Sequence, residues 1–269
     1  MSEKMATRQA YGEVLLELGE ANQDIVVLDA DLSKSTMTTH FAGKYPERFF
    51  NMGISEQNLY GVAAGLAHSG KTVFASTFAM FAAGRAFEII RNSIGYTHAN
   101  VKICATHAGI TVGEDGGSHQ TIEDIALMRT IPGMIVISPS DGMSAKMLIK
   151  QAAAIDGPVF VRLGRAAVPG IYEEDSKIEI GKGMCVRDGS DYTVIATGVM
   201  VNEAMMAAEL LEKEGVSVRV IDMHTIKPID RDIIIKAAKE TKGIVTAEEH
   251  SVFGGLGSAV SEVVVENCP

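Results

Sequence analysis

The sequence is poor in cysteine and contains no tryptophan. Its three cysteines, Cys104, Cys185 and Cys268, lie too far apart for a CxxC redox pair or a zinc knuckle, so we interpret them as reduced thiols of a cytoplasmic protein. No apolar run approaches the roughly 18 residues needed to span a bilayer. The N-terminus also lacks the apolar core of a signal peptide. A transmembrane protein is therefore not expected.

Positive charge is also in short supply. The chain has 24 lysines and arginines against 34 acidic residues, a net charge of −10, which argues against a general binder of nucleic acid or anionic membranes. A local basic pocket is still compatible with this balance. With 46% hydrophobic and 22% charged residues, the composition is that of a soluble globular protein. Its 269 residues suffice for one large domain or two smaller ones.

The first part of the chain alternates short β-branched runs with longer helical stretches. The runs that resemble buried parallel strands are IVVLDA (25–30), TVFAST (72–77), VKICAT (101–106), MIVISP (134–139) and PVFVRL (158–163). The helical candidates around them are residues 6–22, 55–70, 81–94 and 141–155. This alternation predicts a doubly wound α/β fold, with a sheet covered by helices on both faces.

A second, smaller α/β domain is predicted after a change of character near residues 166–190, where proline, glycine and acidic residues accumulate. We predict domains at 1–170 and 191–269, joined by a linker at 171–190. The second domain has three strand-like runs and ends on the helical pattern GGLGSAVSEVVVENCP. Such a sheet is small for this architecture, so we expect the second domain to be truncated at its end.

Residues 65–72 match the phosphate-binding pattern GxxxxGK(S/T) at every position. A working P-loop needs a strand before the glycines and a helix after them, because the helix N-terminus holds the phosphates. Here a helical pattern precedes Gly65 and a β-branched run follows Lys71. Gly70 is typical of a glycine that ends a helix. We interpret the match as accidental.

Glu56 begins the apolar stripe of one predicted helix and projects along the same face as Leu59. A lone glutamate there is most simply explained by the helix dipole. Two neighbours change this interpretation. Phe78 and Phe81 stand three apart after a strand, and the long polar loop at 106–120 carries His107, Glu114, Asp115 and His119. The spacing of these loop residues fits no metal-binding motif, so no metal ligands are predicted.

Seven segments together resemble the second half of transketolases: ATRQA, DADLSKST, ISEQN, STFAMF, THAGITVGEDGGSHQ, LGR and EEHSVFGGLGSAVSEV, in that order. The resemblance covers essentially the whole chain. It implies the C-terminal subunit of a split transketolase of the pentose phosphate pathway, with a pyrimidine-binding domain followed by the C-terminal domain. The family's GDG motif, which holds the diphosphate and metal of thiamine diphosphate, is followed by an asparagine pair, and no such combination occurs here. The resemblance therefore implies an N-terminal partner subunit that carries GDG and holds Mg²⁺ or Ca²⁺.

The resemblance also implies roles for individual residues. Glu56 matches the glutamate that hydrogen-bonds the aminopyrimidine of the cofactor and favours its imino tautomer. The other cofactor contacts are Phe78 and Phe81, which match the aromatic residues packed on the pyrimidine, and Asp31, which matches an aspartate near the thiazolium. The substrate contacts are Asp115 and His119 for the sugar hydroxyls, and Arg8, Ser35, His107 and Arg165 for the terminal phosphate.

Alternatives within and outside this chemistry stay open. 1-Deoxyxylulose-5-phosphate synthase and the beta subunit of 2-oxo acid dehydrogenase complexes share the architecture, although GEDGGSHQ and ATR resemble transketolase more closely. A non-catalytic or regulatory paralogue is a further alternative, because fold alone does not establish function. The donor and acceptor sugars are not determined. By resemblance we expect two copies of this chain with two of the partner. Alone, the chain is expected to expose apolar surface where the partner would sit and to self-associate through that face.

Overall fold

A computed structural model describes residues 4–269. In chain order its strands are β1 (Met5–Ala6), β2 (Ile25–Asp29), β3 (Phe49–Asn51), β4 (Thr72–Phe78), β5 (Val101–Thr106), β6 (Ile135–Ile137), β7 (Val159–Arg162), β8 (Ala167–Val168), β9 (Met184–Arg187), β10 (Tyr192–Ala196), β11 (Val218–Asp222), β12 (Thr225–Lys227) and β13 (Ile244–Ala247). The α-helices are α1 (Thr7–Ala21), α2 (Ser33–Thr36), α3 (Thr39–Lys44), α4 (Glu56–His68), α5 (Phe87–Ile89), α6 (Asp124–Thr130), α7 (Gly142–Ala154), α8 (Met200–Lys213), α9 (Arg231–Glu240) and α10 (Leu256–Asn267). Among these helices, none is long and apolar enough to cross a membrane.

The larger sheet has the strand order β12-β6-β7-β5-β4-β2-β3 and is parallel except at β12. Five of its six parallel strands, β2, β4, β5, β6 and β7, are those the β-branched runs predict, and β3 is an additional short strand. Alternate residues of each strand enter opposite cores. Val26 and Leu28 belong to one cluster, whereas Ile25 and Val27 belong to the other. The prediction of a doubly wound α/β fold is confirmed.

The smaller sheet has the order β13-β10-β11-β9. The three predicted strands are present as β10, β11 and β13, with β10 pairing parallel to each of the other two, and β9 adds an antiparallel fourth strand. β9 lies within the segment predicted as a linker, where MCVR is too short and too exposed to show a strand periodicity. The prediction of a three-stranded sheet is therefore wrong, because it misses this edge strand.

The chain segment that follows β11 connects the smaller sheet to the larger one. β12 pairs antiparallel with β6, so residues from the second half of the chain form the edge of the first sheet. Just before it, the buried carboxylate of Asp222 accepts hydrogen bonds from Ser140 Oγ at 2.6 Å and Tyr172 Oη at 2.8 Å. Burial raises the Asp222 pKa to about 7.

The P-loop pattern falls where a helix gives way to a strand. α4 ends at His68, Gly70 has a left-handed φ of 94°, and β4 begins at Thr72. Lys71 Nζ pairs with Asp24 Oδ1 at 2.7 Å on the surface. This order is the reverse of a phosphate-binding loop, as the sequence predicts.

Residues 81–94, predicted as one α-helix, are only partly α-helical. Two π-helical segments, Phe81–Arg85 and Ile90–Gly95, flank the short α5. A π-helical turn widens the backbone spiral and is frequent at functional sites. Sequence periodicity near 3.6 does not distinguish it from an α-helix.

Candidate functional site

The candidate site lies at the carboxyl ends of neighbouring parallel strands, where ligands of open α/β sheets bind. β2 leads to Asp31, β4 ends at Phe78, and β5 leads to His107. Because β2, β4 and β5 are adjacent in the sheet, their ends meet at one edge. These residues are far apart in the sequence, and the order of strands in the sheet brings them to the same edge.

Glu56 is the first residue of α4 and is 5% exposed. In residues 4–269 no hydrogen bond reaches its carboxylate, whose one charged neighbour is Arg85, with Nε 3.7 Å from Oε2. The Arg85 side chain is itself mostly exposed and lies at the end of the π-helical segment that begins with Phe81. Sequence reasoning missed Arg85, because the π-helical spacing that brings it to Glu56 leaves no periodic signal.

Four aromatic rings form an array around the end of β4. Phe78 and Phe81 are stacked with their centroids 5.8 Å apart and their planes 14° from parallel. His107 stacks on Phe78 at 3.9 Å. His119 meets both phenyl rings edge-on, at 6.0 and 5.4 Å. The array joins two predicted cofactor contacts to two predicted substrate contacts.

His107 is buried and has a left-handed φ of 59°, which is unusual for a residue other than glycine. Its Nδ1 lies 3.0 Å from Thr106 Oγ1. Burial and the nearby charge of Arg8 lower the His107 pKa to about 4. At neutral pH this imidazole is uncharged, so it can contribute a polar ring nitrogen to an anion site but no positive charge.

Two arginines supply the positive charge of the site. Arg8 donates from Nη1 to the backbone oxygen of Ser35 at 2.6 Å, and its buried Nε has no partner among the described residues. Burial and the repulsion of Arg165 lower the Arg8 pKa, while the exposed Asp115 opposes that shift. Two like charges held together, with one donor unused, form a cluster suited to an anionic ligand.

Asp31 lies in a turn at the end of β2 and has a left-handed φ of 64°. It exchanges hydrogen bonds with Asn51, and both line a surface cleft of about 320 Å³ that also includes Ser35. Beneath the turn, the buried Asp29 accepts from the Leu32 backbone N–H. The sequence analysis did not single out Asp29, because a carboxylate at the end of a strand gives no distinctive pattern.

The loop that carries Asp115 and His119 is closed at its base by an antiparallel bridge between Gly109 and Thr121. Gly113 has a left-handed φ of 72°, and a Cβ at this position would clash with the Arg165 guanidinium. The loop therefore packs directly on the arginine cluster. In the part of the chain that the structure describes, no three His, Cys, Asp or Glu side chains are grouped to hold a metal ion.

Two family models match the chain. The transketolase pyrimidine-binding domain matches residues 3–170, and the transketolase C-terminal domain matches residues 181–269. Together they cover almost the full sequence, and the first alone covers more than half of it. The chain belongs to the transketolase family.

Individual relatives agree with this assignment. A Methanocaldococcus jannaschii chain whose name marks it as a transketolase C-terminal section is 56% identical over 97% of this chain and 82% of its own length. The 6-deoxy-6-sulfo-D-fructose transketolase subunit of Clostridium sp. (strain MSTE9) is 41% identical over 97% of this chain and 81% of its own. A solved structure, a split gene transketolase in an inactive β4 tetramer, superposes with a TM-score of 0.92 at 57% identity, covering 99% of this chain and 87% of that one. The identification of a split-transketolase C-terminal subunit is confirmed.

Proposed function

We propose that this chain, assembled with an N-terminal partner subunit, transfers a two-carbon ketol unit between phosphorylated sugars with thiamine diphosphate as cofactor. The observation that carries the proposal is the combination of a buried carboxylate, Glu56, with an array of four aromatic rings that lies close to the charges of Arg8 and Arg165. Together these residues offer one acid–base group, a flat apolar surface and an anion site.

The residues fit the pyrimidine end of the cofactor. Glu56 has no hydrogen-bond partner within residues 4–269, so it is free to contact a ring nitrogen, and Phe78 and Phe81 present the flat surface on which a ring packs. Asp31, at the end of β2, is proposed to approach the thiazolium. When bound, thiamine diphosphate supplies the carbanion-stabilising chemistry that ketol transfer requires. The protein contributes a carboxylate that holds a proton at the pyrimidine ring.

The remaining residues are proposed to bind the sugar. Asp115 and His119 are on the same loop and are proposed to hydrogen-bond the sugar hydroxyl groups. Arg8 and Arg165, with Ser35 and His107, are proposed to hold the terminal phosphate. An arginine fork pairs with two oxygens of such a group at once. A sulfonate has the same three-oxygen face, so the sulfo-sugar in the name of the Clostridium relative makes a sulfonated substrate worth testing beside a phosphorylated one.

Dependence on a partner is supported by two observations. The sequence has no GDG motif with an asparagine pair, and the similar split gene transketolase is inactive as a β4 tetramer. We propose that the partner holds the diphosphate and Mg²⁺ or Ca²⁺, that the two chains form a tetramer with two copies of each, and that the enzyme works in the cytoplasm. Alone, this chain is expected to self-associate.

The test is reconstitution with a GDG-bearing N-terminal subunit. The isolated chain should bind thiamine diphosphate weakly and show no ketol transfer, because charge-assisted contacts to the diphosphate and metal dominate the affinity of such a ligand. Adding the partner and Mg²⁺ should give tight cofactor binding by calorimetry and turnover of xylulose 5-phosphate with ribose 5-phosphate. Micromolar cofactor binding with turnover by the isolated chain would refute the split-enzyme proposal.

Glu56→Gln is the matched variant for this experiment. The amide keeps the size of the side chain but cannot provide the carboxylate, so the reconstituted rate should fall by on the order of 10²-fold or more. Assembly with the partner, followed by size-exclusion chromatography, should be unchanged. A variant that assembles and turns over normally would contradict the role given to Glu56.

A further inference from the structure

The segment 248–251 of the C-terminal half contacts the base of the substrate loop, here defined as residues 109–121. Ser251 N–H donates to Ile122 O at 2.7 Å, and Ala126 N–H donates to His250 Nε2 at 3.3 Å. Both contacts lie just beyond the loop, one at Ile122 before α6 and the other at Ala126 in the first turn of α6. A part of the protein remote in sequence therefore fixes the end of the loop.

The central contact of this segment is made by Glu249. Its side chain is buried, with the residue 7% exposed, and Oε1 accepts from Ile110 N–H at 3.2 Å and Thr111 N–H at 3.0 Å. Gly109 lies against the same side chain, and a Cβ at position 109 would come within 2.7 Å of Glu249 Cδ. Glu249 therefore contacts this loop through two backbone hydrogen bonds and through close packing on Gly109. Hydrogen bonds to a carboxylate are stronger than those to a neutral acceptor.

The backbone of Glu249 is held from beneath by a buried ion pair. Arg162 Nε contacts Asp124 Oδ2 at 2.8 Å, and Arg162 Nη2 donates to Glu249 O, also at 2.8 Å. Both side chains of the pair are almost fully buried. The backbone of Glu249 is thus fixed by the end of β7 and the beginning of α6.

We propose that Glu249 is a positioning residue for ketol transfer: through Ile110 and Thr111 it holds the substrate loop so that Asp115 and His119 face the site. The inference rests on the proposed function. It gives the C-terminal domain a role in catalysis, namely to fix a substrate-binding loop of the other domain. Glu249 is remote in sequence from every residue predicted to contact cofactor or sugar, and it acts through the loop alone.

The test compares three variants of the full chain. Glu249→Ala removes the acceptor and should accelerate hydrogen exchange of the amides in residues 109–121 at least tenfold. With the partner present, it should raise KM for the phosphorylated sugars about tenfold while changing kcat and cofactor affinity much less. Glu249→Gln keeps an acceptor oxygen for both amides and should restore most of the exchange protection and the KM.

Glu248→Ala is the matched control. This neighbouring glutamate accepts from Leu256 N–H at 2.7 Å and Gly257 N–H at 2.9 Å, so it caps α10 within its own domain. Its loss should destabilise α10 and leave exchange in the substrate loop unchanged. Equal exchange in the loop for the two alanine variants would overturn the inference, and so would faster loop exchange in Glu249→Ala with an unchanged KM. Absence of ketol transfer by the wild-type assembly would instead refute the proposed function, whereas the exchange experiment needs no activity.

Discussion

Replacement of Arg165 by alanine tests whether the arginine cluster binds the phosphate end of the substrate. Arg165 is half-buried, packs on Gly113 and lowers the pKa of Arg8 by repulsion. Within the described chain it has no carboxylate partner at ion-pair distance, unlike Arg162. Its removal therefore breaks no internal ion pair and relieves a like-charge contact, so folding should be little affected.

The size of the effect follows from the contact that would be lost. A hydrogen bond to a charged group contributes about 1.5–3 kcal/mol, and each ~1.4 kcal/mol corresponds to tenfold in affinity. Arg165→Ala should raise KM for phosphorylated sugars by roughly one to two decades. Arg165→Lys keeps the charge but loses the bidentate fork, so its KM should lie between those of the wild type and of Arg165→Ala.

The assay compares xylulose 5-phosphate with hydroxypyruvate, a donor without a terminal phosphate, using the reconstituted enzyme. Only the phosphorylated donor should lose affinity in Arg165→Ala. Arg187→Ala serves as the control, because Arg187 pairs with Glu212 at 2.9 Å in the C-terminal domain and should leave both donors unaffected. An equal loss for both donors in Arg165→Ala would indicate a structural arginine and refute the reasoning.

Two further predictions concern residues outside the site. Lys71→Ala should leave transfer unchanged and cost at most about 1 kcal/mol of stability, because its pair with Asp24 is exposed; ATP binding that this change abolishes would contradict the interpretation. Asp222→Asn should become more stable relative to wild type as the pH rises. The folded-state pKa of Asp222, about 7, lies above the ordinary value of 3.8, so wild type loses stability between those values. In urea titrations the difference in stability between the two proteins should change by up to about 1.4 kcal/mol per pH unit between about pH 4 and 7 and level off above that range; a constant difference would disprove the prediction.

The parts of the fold that sequence predicts well are those with local signals. β2, β4 and β5 are continuous β-branched runs buried on both faces, and α4 has an apolar stripe with a glycine after its end. The edge strands β9 and β12 are short and pair with partners distant in sequence, so nothing local marks them. Strand identity there is decided by tertiary pairing.

The candidate site divides in the same way. Glu56, Phe78 and the loop with Asp115 and His119 can be found in the sequence, because a carboxylate before an apolar stripe and a long glycine-rich loop are unusual locally. Arg85 and Glu249 cannot be found in this way. One depends on a π-helical turn and the other on the packing of two domains.

The pairing of β12, from the second half of the chain, with β6 of the first sheet affects how the domains of such proteins can be recombined. A chimera joined at the linker would replace the edge strand of the first sheet together with the C-terminal domain, so the new strand would have to match β6 in register. A chain cut at residue 190 would leave the β6 edge without its neighbour, and an uncovered edge strand is a template for aggregation. The two domains are therefore not interchangeable modules, and a transplanted C-terminal domain would have to bring a compatible β12 with it.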